Sequence, residues 1–152
     1  MGVRIETTPI EINASPERVR EVMLEFAKIP EWHQAQFKSL SVPSGKNAKD
    51  LVPGDKLDVS LSSGMSFSPT ILENTPARLM WRGSLPFIFT GDHAFEFHPS
   101  EITPGSTRFA HYEDFSGILS FMMSAKSSSG ASAIEGFDKF NKDLKERCES
   151  GV

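Results

Sequence analysis

The feature that most constrains this chain is a pair of strand-like segments that place ionisable residues among large aromatic ones. Alternate side chains of a strand point to the same face of a sheet. In residues 107–115, one face therefore carries Phe109, His111, Glu113 and Phe115. In residues 92–98, the corresponding face carries His93, Phe95 and Phe97. Each face combines groups that belong in an apolar core with groups that water normally solvates.

An imidazole and a carboxylate between aromatic rings conflict with a close-packed core. Burying an unpaired polar group costs free energy, whereas a cavity that holds a ligand removes the conflict. A β-bulge would instead turn the other set inward, namely Arg108, Ala110, Tyr112 and Asp114. That set lacks the aromatic residues, so we predict that the first set faces inward and lines a ligand pocket.

The first half of the sequence predicts a strand, two short helices and then further strands. Val3 to Asn13 is rich in Ile and Thr and predicts the first strand. Ser15-Pro16-Glu17 is a helix start, with a capping hydroxyl, a proline at the first position and an acid in the first turn. Ile29 to Trp32 predicts a short second helical turn. Turn residues then separate six more predicted strands, near residues 36–42, 55–62, 65–74, 77–83, 89–98 and 106–115.

The pattern changes to a helical period after Gly117. Apolar residues recur three and four positions apart up to Cys148. Lys126 to Gly130 interrupts this pattern with poor helix formers, which predicts either a kink in a long C-terminal helix or a loop before a shorter one. We predict a single α+β domain over residues 1–152. A curved antiparallel sheet of about seven strands would wrap around the C-terminal helix, with a cavity between them.

Composition and charge argue against several classes of function. The net charge of -4 and the lack of a basic run argue against a nucleic-acid partner. No apolar run reaches the length of about 18–20 residues that a transmembrane helix needs, so we expect no integral membrane segment. The sequence has no signal-peptide pattern, and its single cysteine, Cys148, forms no internal disulfide. These features predict a cytoplasmic location.

A series of short motifs in order resembles the START-related helix-grip superfamily (SRPBCC), specifically its polyketide cyclase/dehydrase-like branch. The motifs are Ile12 to Val19, Glu31-Trp32, Pro76 to Gly83, Gly91 to Phe95, Gly105 to Phe109, Glu113 with Phe115 to Gly117, and Gly136-Phe137 with Asn141, Leu144-Lys145 and Arg147. The resemblance covers essentially the whole chain and implies the helix-grip fold. The superfamily includes lipid carriers, hormone receptors and cyclases, so the resemblance leaves the function open.

Trp81, His93, His111 and Glu113 form the leading polar constellation. In a meander the strands that carry them are neighbours, and opposite side chains lie within about 5 Å. Three roles stay open for the histidines and the glutamate: they satisfy each other in a wet core, they orient a ligand, or they transfer protons. No closely spaced His or Cys pair supports a metal site, so we expect neither a metal nor another cofactor.

Apolar residues on the same strands and on the C-terminal helix are the candidate pocket wall. They are Trp81, Phe95, Phe97, Phe109, Phe115, Met65, Phe67, Phe121, Met122 and Phe137. For the helical members, a role in the core and a role in the wall coincide, because the inner face of the helix borders the predicted cavity. The apolar turn Phe87-Ile88-Phe89 is either a lip of the pocket or an ordinary packed loop.

The sequence thus favours binding of a small, largely apolar or polyketide-like molecule in an internal cavity, with His93, His111 and Glu113 at its polar end. Two alternatives stay open. In the first, the protein is a polyketide cyclase/dehydrase-like enzyme in which a histidine moves a proton and Glu113 orients it. In the second, the protein is an interaction adaptor whose cavity has no ligand. No pattern in the sequence decides the oligomeric state.

Overall fold

The computed structural model describes residues 2–85 and 89–151. The strands within them are β1 Gly2–Glu6, β2 Ile10–Ile12, β3 Phe37–Ser41, β4 Asp58–Leu61, β5 Ser66–Phe67, β6 Thr70–Asn74, β7 Arg78–Leu85, β8 Phe89–Pro99 and β9 Thr107–Ser116. The α-helices are α1 Pro16–Leu24, α2 Ile29–Trp32 and α3 Ser128–Glu149. Short 3-10 turns lie at Phe26–Lys28, Ala48–Asp50 and Ser120–Met123.

The described strands form two antiparallel sheets. The larger sheet has the order β1-β9-β8-β7-β6, with β2 also paired to β9. The smaller sheet has the order β3-β4-β5. The long helix α3 packs against β1, β2 and β9 of the curved larger sheet and against α1. The predicted α+β helix-grip fold, with a curved antiparallel sheet and a long C-terminal helix, is therefore confirmed. Two strands precede the short helices where the sequence predicts one, and the nine described strands form two sheets rather than one sheet of about seven strands.

Two segments that the sequence predicts as single strands are each divided in the structure. Residues 3–13 form β1 and β2, which pair one after the other with β9. Residues 65–74 form β5, in the smaller sheet, and β6, in the larger. Pro9 and Pro69 lie in the two gaps. Because proline has no backbone N–H, it interrupts the hydrogen bonding of a strand at these points.

The start of α1 has the capping arrangement that its sequence predicts. Ser15 Oγ accepts a hydrogen bond of 3.1 Å from the backbone N–H of Arg18, and Pro16 occupies the first helical position. The short helix α2 then brings Trp32 against α3, where its ring lies 5.4 Å from that of Phe140. The two short helices thus both pack against α3.

The interruption at residues 126–130 is the start of α3 rather than a kink within it. Ser127 is the N-cap, since its Oγ accepts a hydrogen bond of 2.9 Å from the backbone N–H of Gly130. From there the helix continues to Glu149. Of the two predicted alternatives, the loop before a shorter helix is the one that the structure has.

The register of β8 and β9 fixes which side chains face α3. The two strands pair without a bulge from Thr90 to Pro99. The inward-facing pairs are His93 with Glu113, Phe95 with His111, and Phe97 with Phe109. Trp81 on β7 lies opposite His93 on the other side. The inward set is the one that the aromatic pattern predicts.

Candidate functional site

Two histidines form the centre of a buried hydrogen-bonded chain. His93 and His111 stand diagonally across β8 and β9, and their Nε2 atoms are 2.6 Å apart. His111 Nδ1 lies 2.7 Å from Oδ1 of Asn141, which α3 supplies from its apolar stripe. The rings of His93 and His111 are buried. The sheet and the helix therefore meet through polar contacts at the centre of their interface.

The chain of hydrogen bonds continues from α3 to the segment after β1. Asn141 Nδ2 donates to Thr7 Oγ1 at 2.9 Å. Thr7 Oγ1 donates in turn to the backbone carbonyl of His111 at 3.4 Å, and the Thr7 backbone N–H donates to the same carbonyl at 3.2 Å. Asn141 and Thr7 are both buried. Because every member has a partner, this inner end of the chain is a satisfied polar network.

Burial keeps both interior histidines neutral. Loss of hydration lowers the pKa of His111 to about 3, although its hydrogen bond with Asn141 opposes the change. The same loss of hydration lowers the pKa of His93 well below the ordinary value of 6.5, and repulsion from His111 adds to the effect. At neutral pH each ring therefore carries one N–H and one unprotonated nitrogen.

Glu113 lies beside His93, at the outer end of the series of hydrogen-bonded side chains. Its Oε1 is 3.6 Å from His93 Nδ1, which is too long for a normal hydrogen bond, and its side chain keeps 19% of its exposure. Burial, together with the nearby carboxylates of Asp92 and Asp114, raises the pKa of Glu113 to about 8. Gly91 on β8 leaves room for this carboxyl, since a Cβ there would stand 2.4 Å from Glu113 Oε2. The site therefore ends in a carboxyl that is largely protonated at neutral pH.

The polar chain lies between two hydrophobic clusters. The main cluster contains, among others, the predicted wall residues Trp81, Phe95, Phe97 and Phe109. A smaller cluster, called the Phe115 cluster below, has three buried members and four partly buried ones: Ile5, Phe115 and Phe137, then Phe89, Met123, Ala133 and Ile134. The ring of His111 stacks on Phe137 at 4.1 Å and contacts Phe140 of the main cluster at 5.5 Å. The histidines thus lie between the two clusters, and the Phe115 cluster has the larger share of partly buried members.

Packed side chains fill the space that the sequence predicts as a cavity. Phe95, Phe109 and Phe140 are fully buried between the larger sheet and α3. The ring of Phe140 lies 5.6 Å from those of Phe95 and Phe37. Phe37 comes from β3, so the smaller sheet contributes a side chain to the volume that the larger sheet and the helix would otherwise leave open. Incomplete cover is found instead at the Phe115 cluster.

Three of the predicted wall residues point to solvent. Met65 is 54% exposed in the turn between β4 and β5. Phe121 and Met122 are 64% and 50% exposed in the 3-10 turn that precedes α3. They are exposed because the chain turns here before the helix begins, so these positions do not extend the inner stripe of α3. The structure does not bring these three side chains to the sheet–helix interface.

Two aromatic residues on the sheets border the site more closely. Phe67 is partly buried and lies over Gly83, where a Cβ would meet its ring at 3.2 Å. The ring of Phe89 stands edge-on to Phe115 at 5.6 Å. The other two residues of the predicted apolar turn, Phe87 and Ile88, lie outside the described residues.

A third buried histidine, His33, joins the end of α2 to α3. Its Nε2 accepts a hydrogen bond of 3.1 Å from the backbone N–H of Gln36, so its proton is on Nδ1, which donates to Asp143 Oδ2 at 2.9 Å. Lys139 Nζ also donates to Asp143, at 2.9 Å. Burial lowers the pKa of His33 although Asp143 opposes this. Both ring nitrogens have partners, so His33 is a structural residue.

Sequence reasoning missed Asn141, Thr7, His33 and Asp143 as polar partners. For Asn141 a signal existed, because it interrupts the apolar stripe of the C-terminal helix between Phe140 and Leu144. A polar residue at an inward position needs a buried partner. The other three carry no comparable local signal, since each belongs to a segment whose packing is set by distant parts of the chain.

A separate cleft opens on the outer side of α1. It has a volume of about 860 Å³ and lies between α1 and the loop after β3. Its lining is both charged and apolar and includes Arg20, Glu21, Leu24, Phe26, Leu40 and Lys46. None of its lining residues belongs to the predicted site, so the cleft and the polar chain are independent features.

Within the described residues, two kinds of feature are absent. No group of three or more His, Cys, Asp or Glu side chains is placed to hold a metal ion. No helix there is both long enough and apolar enough to cross a membrane.

Solved structures share this fold at low sequence identity. A START superfamily protein from Mycobacterium smegmatis has a TM-score of 0.70 at 15% identity, over 98% of this chain and 99% of its own. The hypothetical protein jhp0584 from Helicobacter pylori has a TM-score of 0.72 at 15% identity, over 97% and 88%. A norcoclaurine synthase point mutant from Thalictrum flavum, in complex with a transition-state analogue, has a TM-score of 0.61 at 14% identity, over 97% and 96%. At these identities the likeness is one of fold.

Sequence comparison identifies the family. No curated protein sequence matches the chain significantly. The family model described as polyketide cyclase / dehydrase and lipid transport matches residues 3–149. The match runs from β1 to the end of α3 and so includes both the sheet and the helix that carry the polar chain. The chain therefore belongs to the polyketide cyclase / dehydrase and lipid transport family.

Proposed function

We propose that this protein binds a small, largely apolar molecule between the larger sheet and the N-terminal half of α3, with the polar group of the molecule directed at Glu113 and His93. The observation that carries the proposal is the state of Glu113. Within the described residues it makes no hydrogen bond of normal length, yet it lies inside the fold beside an apolar cluster. A partly buried carboxyl without a partner is costly in a purely structural network. A ligand would supply the partner.

The surroundings of Glu113 suit an apolar molecule. Four side chains of the Phe115 cluster are only partly buried, so this end of the interface is covered less completely than the main cluster. The 3-10 turn Ser120–Met123 packs against β1, β9 and α3 and forms the cover. Because the interior is filled, we expect the ligand to displace this turn and to occupy the space beside Phe115 and Ile134. Family and fold are consistent with a hydrophobic ligand.

A filled-pocket variant tests the proposal. Ala133 is partly buried against the Phe115 cluster, whereas Ala131 is exposed on the same helix. Ala133→Trp should occupy the ligand space, and Ala131→Trp should leave it open. We expect the fluorescent probe 1-anilinonaphthalene-8-sulfonate to bind the unmodified protein at one site. Ala133→Trp should weaken that binding about tenfold, a free-energy change of about 1.4 kcal/mol. Ala131→Trp should not.

Two outcomes would contradict the proposal. One is absence of probe binding by the unmodified protein; the other is an equal loss of affinity in both tryptophan variants. Native mass spectrometry of the purified protein, followed by extraction of any bound compound, identifies a natural ligand directly. Thermal unfolding of both variants is the control for folding, because a ligand effect is interpretable only in a folded protein.

A polyketide cyclase/dehydrase-like activity is the second candidate function, and it is favoured by the burial of Glu113 near Asp92 and Asp114, which raises the pKa of Glu113. A carboxyl with a pKa of about 8 still holds its proton at neutral pH and can donate it to a carbonyl oxygen of a bound substrate. In that case Glu113 is the catalytic acid and the two interior histidines position it. Turnover would then need Glu113 even where binding does not.

A role as an interaction adaptor has weaker support. Ile118, Phe121 and Met122 are exposed apolar side chains close together in sequence, which a protein partner would cover. The same residues lie at the cover of the proposed ligand site. An adaptor would show no saturable binding of the small probe, whereas a carrier or an enzyme would.

A further inference from the structure

We propose that the site selects apolar molecules that carry a hydroxyl group, and that this hydroxyl donates a hydrogen bond to Nδ1 of His93 beside Glu113. The inference rests on the proposed function and adds the chemical class of the ligand. It follows from the direction in which the hydrogen bonds run along the buried chain.

The direction of donation along this series of hydrogen bonds is fixed at Thr7. The single hydroxyl hydrogen of Thr7 points to the backbone carbonyl of His111, 3.4 Å away. The hydroxyl oxygen therefore accepts from Asn141 Nδ2 at 2.9 Å. This places the other end of the amide, the acceptor Oδ1, 2.7 Å from His111 Nδ1. His111 must therefore donate from Nδ1.

The proton positions of both histidines follow from this donation. A neutral imidazole has one N–H, so the Nε2 atom of His111 is an acceptor. At 2.6 Å the donor to it is the Nε2 atom of His93. His93 thus carries its single proton on Nε2, and its Nδ1 is an unprotonated acceptor. The lowered pKa values of both rings agree with the neutral state.

The Nε2–Nε2 contact and the ring stacking together hold the two histidines in these orientations. His93 stacks on Phe95 with ring centroids 4.7 Å apart and planes 19° apart. His111 stacks on Phe137 at 4.1 Å and 15°. Rotation of either ring would break the Nε2–Nε2 contact and leave a buried nitrogen unpaired. The acceptor on His93 is therefore a fixed feature of the site.

The acceptor at His93 Nδ1 has no hydrogen bond within the described residues. Glu113 Oε1 stands 3.6 Å from it, on a carboxyl that is largely protonated at neutral pH. An unprotonated nitrogen and an acidic O–H thus stand side by side. A ligand hydroxyl satisfies both, because it donates to the nitrogen and accepts from the carboxyl. An ether or a ketone accepts only, so it leaves Nδ1 of His93 unpaired.

Two probes with the same ring system test the preference. We expect 2-naphthol to bind about tenfold more tightly than 2-methoxynaphthalene in isothermal titration calorimetry, because only the naphthol can donate. Equal affinities would overturn the hydroxyl preference and leave the proposed function standing. Failure of both probes to bind would overturn both proposals.

The proton positions can be measured without any ligand. Long-range 1H–15N NMR spectra of the unliganded protein should show His93 protonated at Nε2 and His111 protonated at Nδ1. The reverse pattern, or a charged ring at neutral pH, would overturn the inference whatever the probes do.

A substitution at His93 separates the donor contact from general hydrophobic binding. His93→Phe removes Nδ1 and keeps an aromatic ring among Trp81, Phe95 and Phe137. It should lower the affinity for 2-naphthol to that for 2-methoxynaphthalene. The control His98→Phe lies on the outer face, where the side chain is 41% exposed, and should keep the tenfold preference. Persistence of the preference in folded His93→Phe would overturn the inference. If that variant does not fold, the NMR measurement decides.

Discussion

His33 illustrates, at the scale of single residues, how buried polar groups hold the short helices against α3. Its ring joins Asp143 to the backbone of Gln36 and stands edge-on to Phe140 at 5.0 Å. We expect His33→Ala to lower the free energy of unfolding by about 2–4 kcal/mol, because it leaves a cavity and two unpaired polar groups. Urea denaturation measures this loss.

Gln34 provides the control for this prediction. Its side chain is exposed and bonds only to the carbonyl of Pro30 among the described residues. Gln34→Ala should change the free energy of unfolding by less than about 0.5 kcal/mol. If the two variants lost similar amounts of unfolding free energy, the buried pair of His33 and Asp143 would contribute no more to stability than an exposed side chain nearby.

For single residues, the direction of a side chain could be predicted from the sequence, but its hydrogen-bond partners could not. The inward direction of His93, His111 and Glu113 was predictable, because alternation along one strand fixes it. The partners of these residues were not. Thr7 and Asn141 are 134 positions apart, and His33 and Asp143 are 110 apart. Such contacts depend on how α3 crosses the sheet, and no local pattern encodes that crossing.

At the level of secondary-structure elements, two glycines of α3 make opposite contributions to the stability of the fold. A Cβ at Gly130 would stand 1.9 Å from the backbone oxygen of Ser124, so the first turn of the helix can lie against the preceding 3-10 turn only with glycine there. Gly136 lies further along the helix. A Cβ there would stand 3.6 Å from the side chain of Gln36, which is its nearest contact beyond the backbone of the helix itself. The same substitution should therefore have opposite effects at the two positions.

We expect Gly130→Ala to lower the free energy of unfolding by about 1–3 kcal/mol through steric overlap. Gly136→Ala should raise it by about 0.5–1 kcal/mol, because alanine loses less backbone entropy in a helix. Urea denaturation followed by circular dichroism measures both. Changes of the same sign would show that the start of α3 is not held against the 3-10 turn.

The elements themselves were largely predictable, and their division between sheets was not. Ser15 and Ser127 both precede helices and cap them, which is a local signal, although for Ser127 the sequence left a kinked helix open as an alternative. The assignment of β5 to the smaller sheet has no such signal. Phe37, on β3 of the same sheet, enters the interior and helps to fill the predicted cavity.

For the whole molecule, the arrangement of titrating groups sets how stability depends on pH. Glu113 has a pKa of about 8 in the folded state against an ordinary value of 4.5. Between these values the folded state holds a proton that the unfolded state has released, so stability falls as pH rises towards 8. His33, His93 and His111 have folded pKa values below 6.5. Below pH 6.5 the unfolded state binds protons that the folded state does not, so stability falls as pH falls.

We therefore expect the free energy of unfolding to be greatest near pH 6–7 and to decrease on both sides. Between pH 6.5 and 8, Glu113 alone should lower it by roughly 1–2 kcal/mol, close to the effect of one proton. The histidines offset part of this fall, because in the unfolded state they lose their last protons over the same range. Glu113→Gln should abolish this decrease and keep the acid one, whereas Glu101→Gln, in an exposed loop, should keep both. Urea denaturation at pH 5, 6.5 and 8 distinguishes these outcomes. If the wild-type curve coincided with that of Glu113→Gln above pH 6.5, Glu113 would already be ionised in the folded protein. The ligand hydroxyl would then lose the acidic partner assigned to it.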